Sequence, residues 1–317
     1  MHIFWLTSIV GILVLRDHSP FARIVTFDHN RAQLEDDRFA QFWLNERRLK
    51  IDYYLNELLE SNLASPLAQA IRYSVLSPGK RIRSLMTLAV VEYLGGQENQ
   101  AIHAACAIEM IHAASLILDD LPCMDNDALR RNRCSTHVRF GEDTSILAAV
   151  SLLTQSYCTV ASDAKLTMPT RLDIIKLFCQ TIGAQGLSLG QSMDLSAKLI
   201  ASSPDTLTNM HYLKTGALFN AAANTGCLIA QALPEQHACI MRYTNNLGLA
   251  FQLMDDLQDE KSEVANLATA IGKSQAHQNI KDYIQTAKSA LHPQAQSSKN
   301  SELLNHFADA FFASVLS

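Results

Sequence analysis

The sequence contains no Cys-x-x-Cys pair, few glycines and prolines, no excess of basic residues and no stretch of sustained period-two alternation. Each absence excludes something. The seven cysteines (Cys106, Cys123, Cys134, Cys158, Cys179, Cys227 and Cys239) are odd in number and scattered. That spacing fits neither a zinc site nor a disulfide framework and points to a reducing, cytoplasmic setting, with most of them acting as small core fillers. With 12 Gly and 8 Pro among 317 residues, and 48% hydrophobic residues, the chain can fill a sizeable core and leaves little room for long disordered tracts. A net charge of −5 supplies no basic footprint for a nucleic-acid partner. Without period-two alternation, a sheet has no support in the pattern.

What is present is helix after helix. Residues 1–15 (MHIFWLTSIVGILVL) are almost wholly apolar, yet short of the roughly 20 residues a membrane span needs. They also lack the basic start and small-residue cleavage site of a signal peptide. Residues 1–31 are therefore read as an apolar N-terminal extension of uncertain status, with no stable membrane anchoring expected. From residue 32 onward, Phe39, Phe42, Trp43, Leu49, Tyr53, Leu55 and Leu58 recur at helical spacing. Ser65-Pro66 opens a second helix, which breaks at Ser77-Pro78-Gly79. Further helices are predicted at 80–94, 100–121, 143–163, 169–190, 204–233, 235–260, 274–291 and 300–316. The fold class is all-α: residues 32–317 form one domain, a bundle of about ten or more helices around a central cavity.

The chemistry concentrates at the ends of apolar helices. Asp119, Asp120, Asp125 and Asp127 fall within nine residues, just after the apolar run Leu116-Ile117-Leu118, and Arg130 and Arg131 follow. Such a cluster is either a solvated acidic loop or a site for hard divalent cations, whose natural ligands are oxygens. Six residues along a straight helix would turn Asp125 away from Asp119, so Pro122 is expected to bend it back. Downstream, Asp255 and Asp259 are four residues apart, on one helix face, after the apolar run Leu247–Met254. Two acidic clusters ending buried helices can face each other across a cavity and hold several Mg²⁺.

Cations complete the set. Lys80, Arg81 and Arg83 sit where a loop enters a helix, a place whose free N–H groups also favour anions. Lys214-Thr215-Gly216 interrupts an apolar helix, where the lysine either snorkels to solvent or serves a buried anion. His112, two turns before Asp119, is either structural or a ligand. Metal bridging between acids and a polyphosphate would satisfy both signs of charge, while apolar helix interiors would hold a hydrocarbon tail.

In these residues the chain resembles the short-chain trans-isoprenyl diphosphate synthases, the farnesyl and geranylgeranyl diphosphate synthases. Residues 119–131 (DDLPCMDNDALRR) are similar to that family's first aspartate-rich motif and residues 255–259 (DDLQD) to its second. Gly-Lys-Arg-Ile-Arg at 79–83, Glu-Met-Ile-His at 109–112, Gly-Gln-Ser-Met-Asp at 190–194 and Lys-Thr-Gly-Ala-Leu at 214–218 follow in family order. The resemblance spans roughly residues 40–290. It implies an Mg²⁺-dependent prenyltransferase, with three metals per site, that joins isopentenyl diphosphate to an allylic diphosphate. Asp119, Asp120, Asp125, Asp255 and Asp259 would hold the metals. Arg130, Lys214, Thr215 and Gln252 would grip the allylic diphosphate. Lys80, Arg83, His112 and Arg131 would hold isopentenyl diphosphate, with Gln191 and Asp194 lining the cavity floor. A homodimer is implied as well.

The sequence departs from the family pattern in places. Leu118 stands where many relatives carry His, and Ala148–Ser151 loses an Asp. The segment after Asp259 is shortened, with Lys261 standing in for a closing lysine. Small Ala114 and Ser115, one turn before Asp119, favour a longer product, while the overall pattern favours farnesyl diphosphate; the sequence reading takes farnesyl, with geranylgeranyl as the alternative. The rivals are a terpene cyclase, which has no use for Lys80, Arg83 and His112, and a non-catalytic prenyl-diphosphate-binding homologue, favoured by the shortened segment.

Overall fold

The computed structural model describes residues 11–13, 25–27, 29–59, 65–197, 209–210, 212–258, 268, 271–291 and 302–316. Among them twelve α-helices carry the architecture: α1 (His29–Leu58), α2 (Pro66–Val75), α3 (Ile82–Tyr93), α4 (Glu98–Asp119), α5 (Thr136–Phe140), α6 (Glu142–Ala161), α7 (Met168–Ile182), α8 (Leu187–Ala197), α9 (Ala217–Ile229), α10 (Pro234–Gln258), α11 (Lys273–Leu291) and α12 (Leu303–Leu316). Two short antiparallel pairs accompany them: β1 (Gly11–Leu13) with β2 (Val25–Phe27), and β3 (Leu129–Arg130) with β4 (Arg133–Cys134). The all-α expectation holds, and these ribbons are too short to show alternation in sequence.

α4 is the axis. It packs against α1, α3, α6 and α9, and its alanines at 101, 104, 105, 107, 113 and 114 are buried. A helix apolar on all sides belongs inside, and small side chains let neighbours approach on every side. By length and composition α4 and α6 are both apolar enough to cross a membrane, but α4 is mostly buried within the protein. α3 is buried along nearly its whole length for the same reason. α11 is amphipathic, burying Ala276, Ile280, Ile284, Ala287 and Leu291 on the face against α10. α12 closes the bundle against α1, α3 and α11. Its Leu304 carbonyl accepts a 2.6 Å hydrogen bond from the buried Tyr243 hydroxyl.

Two helix expectations are corrected. The helix anticipated over 169–190 is two helices: α7 ends at Gly183, and α8 begins at Leu187. The helix anticipated over 204–233 is π-helical from Tyr212 to Gly216 before α9 starts. Residues 204–208 and 211 of that expectation lie outside the described residues, as do Asp259, Lys261 and the segment between 259 and 267.

Arg81 is not one of the exposed cations the motif suggested. Its backbone is left-handed (φ +54°) and its side chain turns inward, bonding Asp52 at 2.8 Å, Glu109 at 3.0 Å and the Ser77 carbonyl at 3.0 Å. Glu109 also accepts from Ser84 Oγ. A fully paired buried guanidinium of this kind ties the loop before α3 to α4 and so fixes where Lys80 and Arg83 emerge. Glu109→Ala leaves that charge buried with one partner fewer and should cost about 3–5 kcal/mol, read as a lowered urea midpoint. A loss below about 1 kcal/mol would show the pair to be dispensable.

Candidate active site

α4 stops at Asp119, and the chain folds back on itself rather than bending as a continuous helix. Met124 and Asn126 donate to the Leu121 carbonyl, and the Asp125 N–H donates to the Asp119 carbonyl at 2.9 Å. Pro122 is where the helix cannot continue, so its role is termination rather than a kink. The fold-back brings Asp125 to the Asp119 side. Asp120 goes elsewhere: only 2% exposed, it accepts from Arg130 Nε at 2.8 Å. Arg130 also reaches Asp127 at 2.9 Å.

Asp119 and Asp125 share Lys214. Its ammonium donates to Asp194 at 2.6 Å and lies 3.6 Å from Asp125. Burial pulls the ammonium down, but Asp194, Asp125 and Asp119 together hold it above its ordinary range. Of the two readings left open for this lysine, service to buried anions is the one the geometry supports. The π turn at Tyr212–Gly216 presents Lys214 off the regular helix register, a device common at functional sites. α8 lies so near that a Cβ on Gly190 would come within 2.7 Å of the Lys214 backbone nitrogen. Only a glycine allows this approach, which seats Asp194 beside Lys214. Thr215 lies in the same turn.

Burial raises the Asp119 carboxyl to about 6, with Lys214 working against the rise and Asp125 adding to it. Burial also raises Asp120, partly offset by its Arg130 bond. Among the described residues no group of three His, Cys, Asp or Glu is drawn together in a metal-holding arrangement. Lys214 and Arg130 lie among these carboxylates instead. The oxygen-only donor set of Asp119, Asp125 and Asp120 still suits Mg²⁺.

On the other side of the α4 terminus the charge balance reverses. Arg83 Nη1 lies 3.3 Å from His112 Nε2. A guanidinium only donates, so this nitrogen accepts. Burial and the nearby arginines push His112 well below its usual range, so it is neutral. Burial lowers Arg83 despite Glu109 and Asp255, and its Nε is buried without a partner. Arg131 is likewise lowered, by burial together with Arg81 and Arg130. It sits in the two-residue loop between β3 and β4, where Arg131 and Asn132 both have positive φ (53° and 60°), as a type I′ hairpin requires. From there Nη1 donates to the Pro78 carbonyl at 3.2 Å and passes so close to Gly79 that a Cβ would be 2.6 Å away. Tyr73 anchors the hairpin through a 2.8 Å bond to the Cys134 carbonyl, with the Arg133 and Arg139 guanidiniums over its ring. Sequence reasoning missed Tyr73, because a tyrosine on a half-buried helix carries no distinguishing signal.

Beside Asp119 and Lys214 lies a cavity of about 450 Å³. Gln191 stands on its wall with them, apolar side chains from Ile111, Leu118, Met124, Leu153, Ile182, Leu187 and Leu195 line most of it, and Ser115, Ser188, Ser192 and Ser196 complete the lining. Both polar atoms of the Gln191 side chain are buried with no partner, so the wall has unmet hydrogen-bonding capacity. Ala114 is fully buried and faces away from this lining, whereas Ser115 faces it. Gln252 and Asp255 are on α10, one turn apart, with Asp255 exposed near its end and acting on the Arg83 charge.

Acids, cations and an apolar cavity at one end of an α-helical bundle define a class of prenyl-transferring enzymes, and comparison with known proteins agrees. A polyprenyl synthetase family model matches residues 64–310. A geranylgeranyl diphosphate synthase of Cyanophora paradoxa is 40% identical over 235 residues, 73% of this chain and 78% of that protein. One from Pseudescherichia vulneris is 35% identical over 253 residues, 76% and 82% of the two chains. Among solved structures, a geranyltransferase of Legionella pneumophila superposes with a TM-score of 0.80 at 28% identity, covering 86% of this chain and 96% of that one. The chain belongs to the polyprenyl synthetase family, as an enzyme of the short-chain trans-isoprenyl diphosphate synthase class.

The raised Asp119 has a testable sign. A carboxyl whose pKa is higher folded than unfolded destabilises the metal-free fold above about 6, and the penalty fades as pH falls towards the unfolded value. In chelator, Asp119→Asn should therefore raise Tm at pH 7.5, with the gain shrinking towards pH 4. An unchanged or lower Tm at pH 7.5 would contradict the electrostatic reading.

Proposed function

We propose that the chain condenses isopentenyl diphosphate with an allylic diphosphate in an Mg²⁺-dependent reaction, with geranylgeranyl diphosphate as the product. Residues 32–317 would be its one catalytic domain, with 1–31 outside it. The observation that carries the reading is charge segregation around the end of α4: carboxylates with Lys214 beside the cavity, and Arg83, Arg131 and His112 grouped together with few acids. Two clustered guanidiniums beside a neutral His112, one of them with an orphaned Nε, call for an anionic ligand.

Asp119, Asp120 and Asp125, with Asp255 and Asp259 of the second acidic motif, would hold three Mg²⁺. Bound there, the metals supply Lewis-acid stabilisation of the departing diphosphate. Arg130 and Lys214 already lie among these carboxylates and would turn to the allylic diphosphate, assisted by Thr215 and Gln252. Lys80, Arg83, His112 and Arg131 would hold isopentenyl diphosphate, and Lys261 would help close the site. The isopentenyl double bond then attacks the ionised allylic carbon, and a proton leaves to the released diphosphate. His112 is not needed as the base, since its Nε2 lone pair is engaged by Arg83. The apolar wall keeps water from the cation. A cyclase would have no use for the second cationic set.

On product length, the overall motif pattern favours farnesyl, and two observations favour geranylgeranyl at least as well. Ser115 faces the cavity where a bulky side chain would stop the tail, and the lining continues a turn deeper to Ile111. The relatives compared above are named geranylgeranyl diphosphate synthases. The homodimer finds support in α6, which leaves Ile146, Leu147 and Val150 exposed beside Val138 of α5 and Leu172 of α7. The described cysteines are all unpaired, which supports a reducing compartment, the cytoplasm in this reading.

Purified protein given Mg²⁺, isopentenyl diphosphate and geranyl diphosphate should yield an extractable twenty-carbon product. A fifteen-carbon end product would return the assignment to farnesyl, and no product from folded protein would favour a non-catalytic prenyl-diphosphate binder. Asp255→Ala should lower turnover by roughly 100-fold or more with the fold intact. In light scattering, Leu147→Glu with Val150→Glu should convert a dimer to a monomer, and an unchanged mass would move the interface elsewhere.

A further inference from the structure

Lys80 is exposed in the loop that enters α3, on the wall of a recess it shares with Phe311, and among the described residues it makes no hydrogen bond and no ion pair. What it does contact is an aromatic face: its ammonium lies 5.7 Å from the Phe311 ring centroid. Phe311 in turn stacks on Phe251, with centroids 5.6 Å apart and planes 25° from parallel. Phe251 precedes Gln252 and lies one helical turn before Asp255 on α10. One aromatic ring of α12 thus touches both the loop that enters α3 and the helix of the second acidic cluster.

Phe311 is also held firmly. Its neighbour Phe312 is fully buried and meets it edge-on at 4.7 Å. Leu304 and Phe307 on the same helix are buried, and Lys288 of α11 pairs with Asp309. A flexible lysine with four rotatable bonds loses entropy when it must find a phosphate. A fixed π face beside the ammonium narrows that search, because the ring quadrupole attracts the cation. The ring offers no hydrogen bond, so the three ammonium donors stay available to an incoming diphosphate.

We infer that Phe311 is a positioning residue for Lys80, which makes α12 part of the isopentenyl diphosphate half of the site. This rests on the function proposed above. The ring acts through Lys80 and touches neither substrate.

The test compares wild type with Phe311→Leu, which keeps apolar bulk and removes the π face, and with Phe311→Trp, which restores it. Phe311→Leu should raise KM for isopentenyl diphosphate about 2- to 5-fold, the equivalent of one exposed cation–π contact. KM for the allylic substrate and kcat at saturation should stay within experimental error, and Phe311→Trp should recover the wild-type KM. Separately, acylation of Lys80, followed by mass spectrometry with Lys288 as the internal control, should speed up in Phe311→Leu. Equal acylation rates, or an unchanged KM in an active enzyme, would overturn the inference. So would parallel losses in both KM values and Tm, which would mark Phe311 as packing alone. Should wild type itself fail to turn over or bind isopentenyl diphosphate, the proposed function falls and this role of Phe311 with it; an active wild type with indifferent variants sinks only the role.

Discussion

Like charges gathered in a half-buried place must be neutralised, and the structure is arranged around that constraint. Asp119, Asp120 and Asp125 stand at the end of the buried helix α4, where burial raises the carboxyls of Asp119 and Asp120. In this structure Lys214 and Arg130 take up the excess. Neither is a casual surface partner: Lys214 is delivered by a π turn, and Arg130 by the hairpin that Tyr73 pins to α2. In the proposed function, these two cations would be the ones to meet the allylic diphosphate.

The opposite imbalance stands a few residues away. Arg83, Arg131 and neutral His112 crowd one another with too few acids nearby, and Arg83 Nε has no partner at all. Arg81 is set apart from this group because its charge is spent internally on Asp52 and Glu109. A motif of three closely spaced cations thus divides: Arg81 builds the loop, while Arg83 meets His112 and Lys80 meets the Phe311 ring. In the proposed function, a diphosphate with a hydrocarbon tail and divalent counter-ions would bridge this cationic group and the acids around Lys214. Catalysis by charge stabilisation needs such preorganisation, since groups already fixed in place do not reorganise during the reaction.

What the sequence by itself determined follows from local physics. Helical periodicity and the missing alternation made the bundle legible, and the spacing of Asp119, Asp120, Asp125 and Asp255 made the acidic sites legible. The order of motifs from Gly79 to Asp259 was enough to suggest the family. Charge type and position along a helix are properties of a few neighbouring residues, and so can be read from a string.

Tertiary structure alone decided how those residues are partnered. Nothing in the sequence says that Arg81 turns inward, that Asp120 parts from Asp119 and Asp125, or that Lys214 bonds Asp194 twenty residues earlier. Nor does it say that Lys80 meets an aromatic ring more than two hundred residues downstream. Pro122 was visible as a breaker, but whether it kinks a helix or ends one depends on what the following turn can bond to. These outcomes depend on which helices pack together, and packing is a contest among all buried surfaces at once that no local pattern encodes.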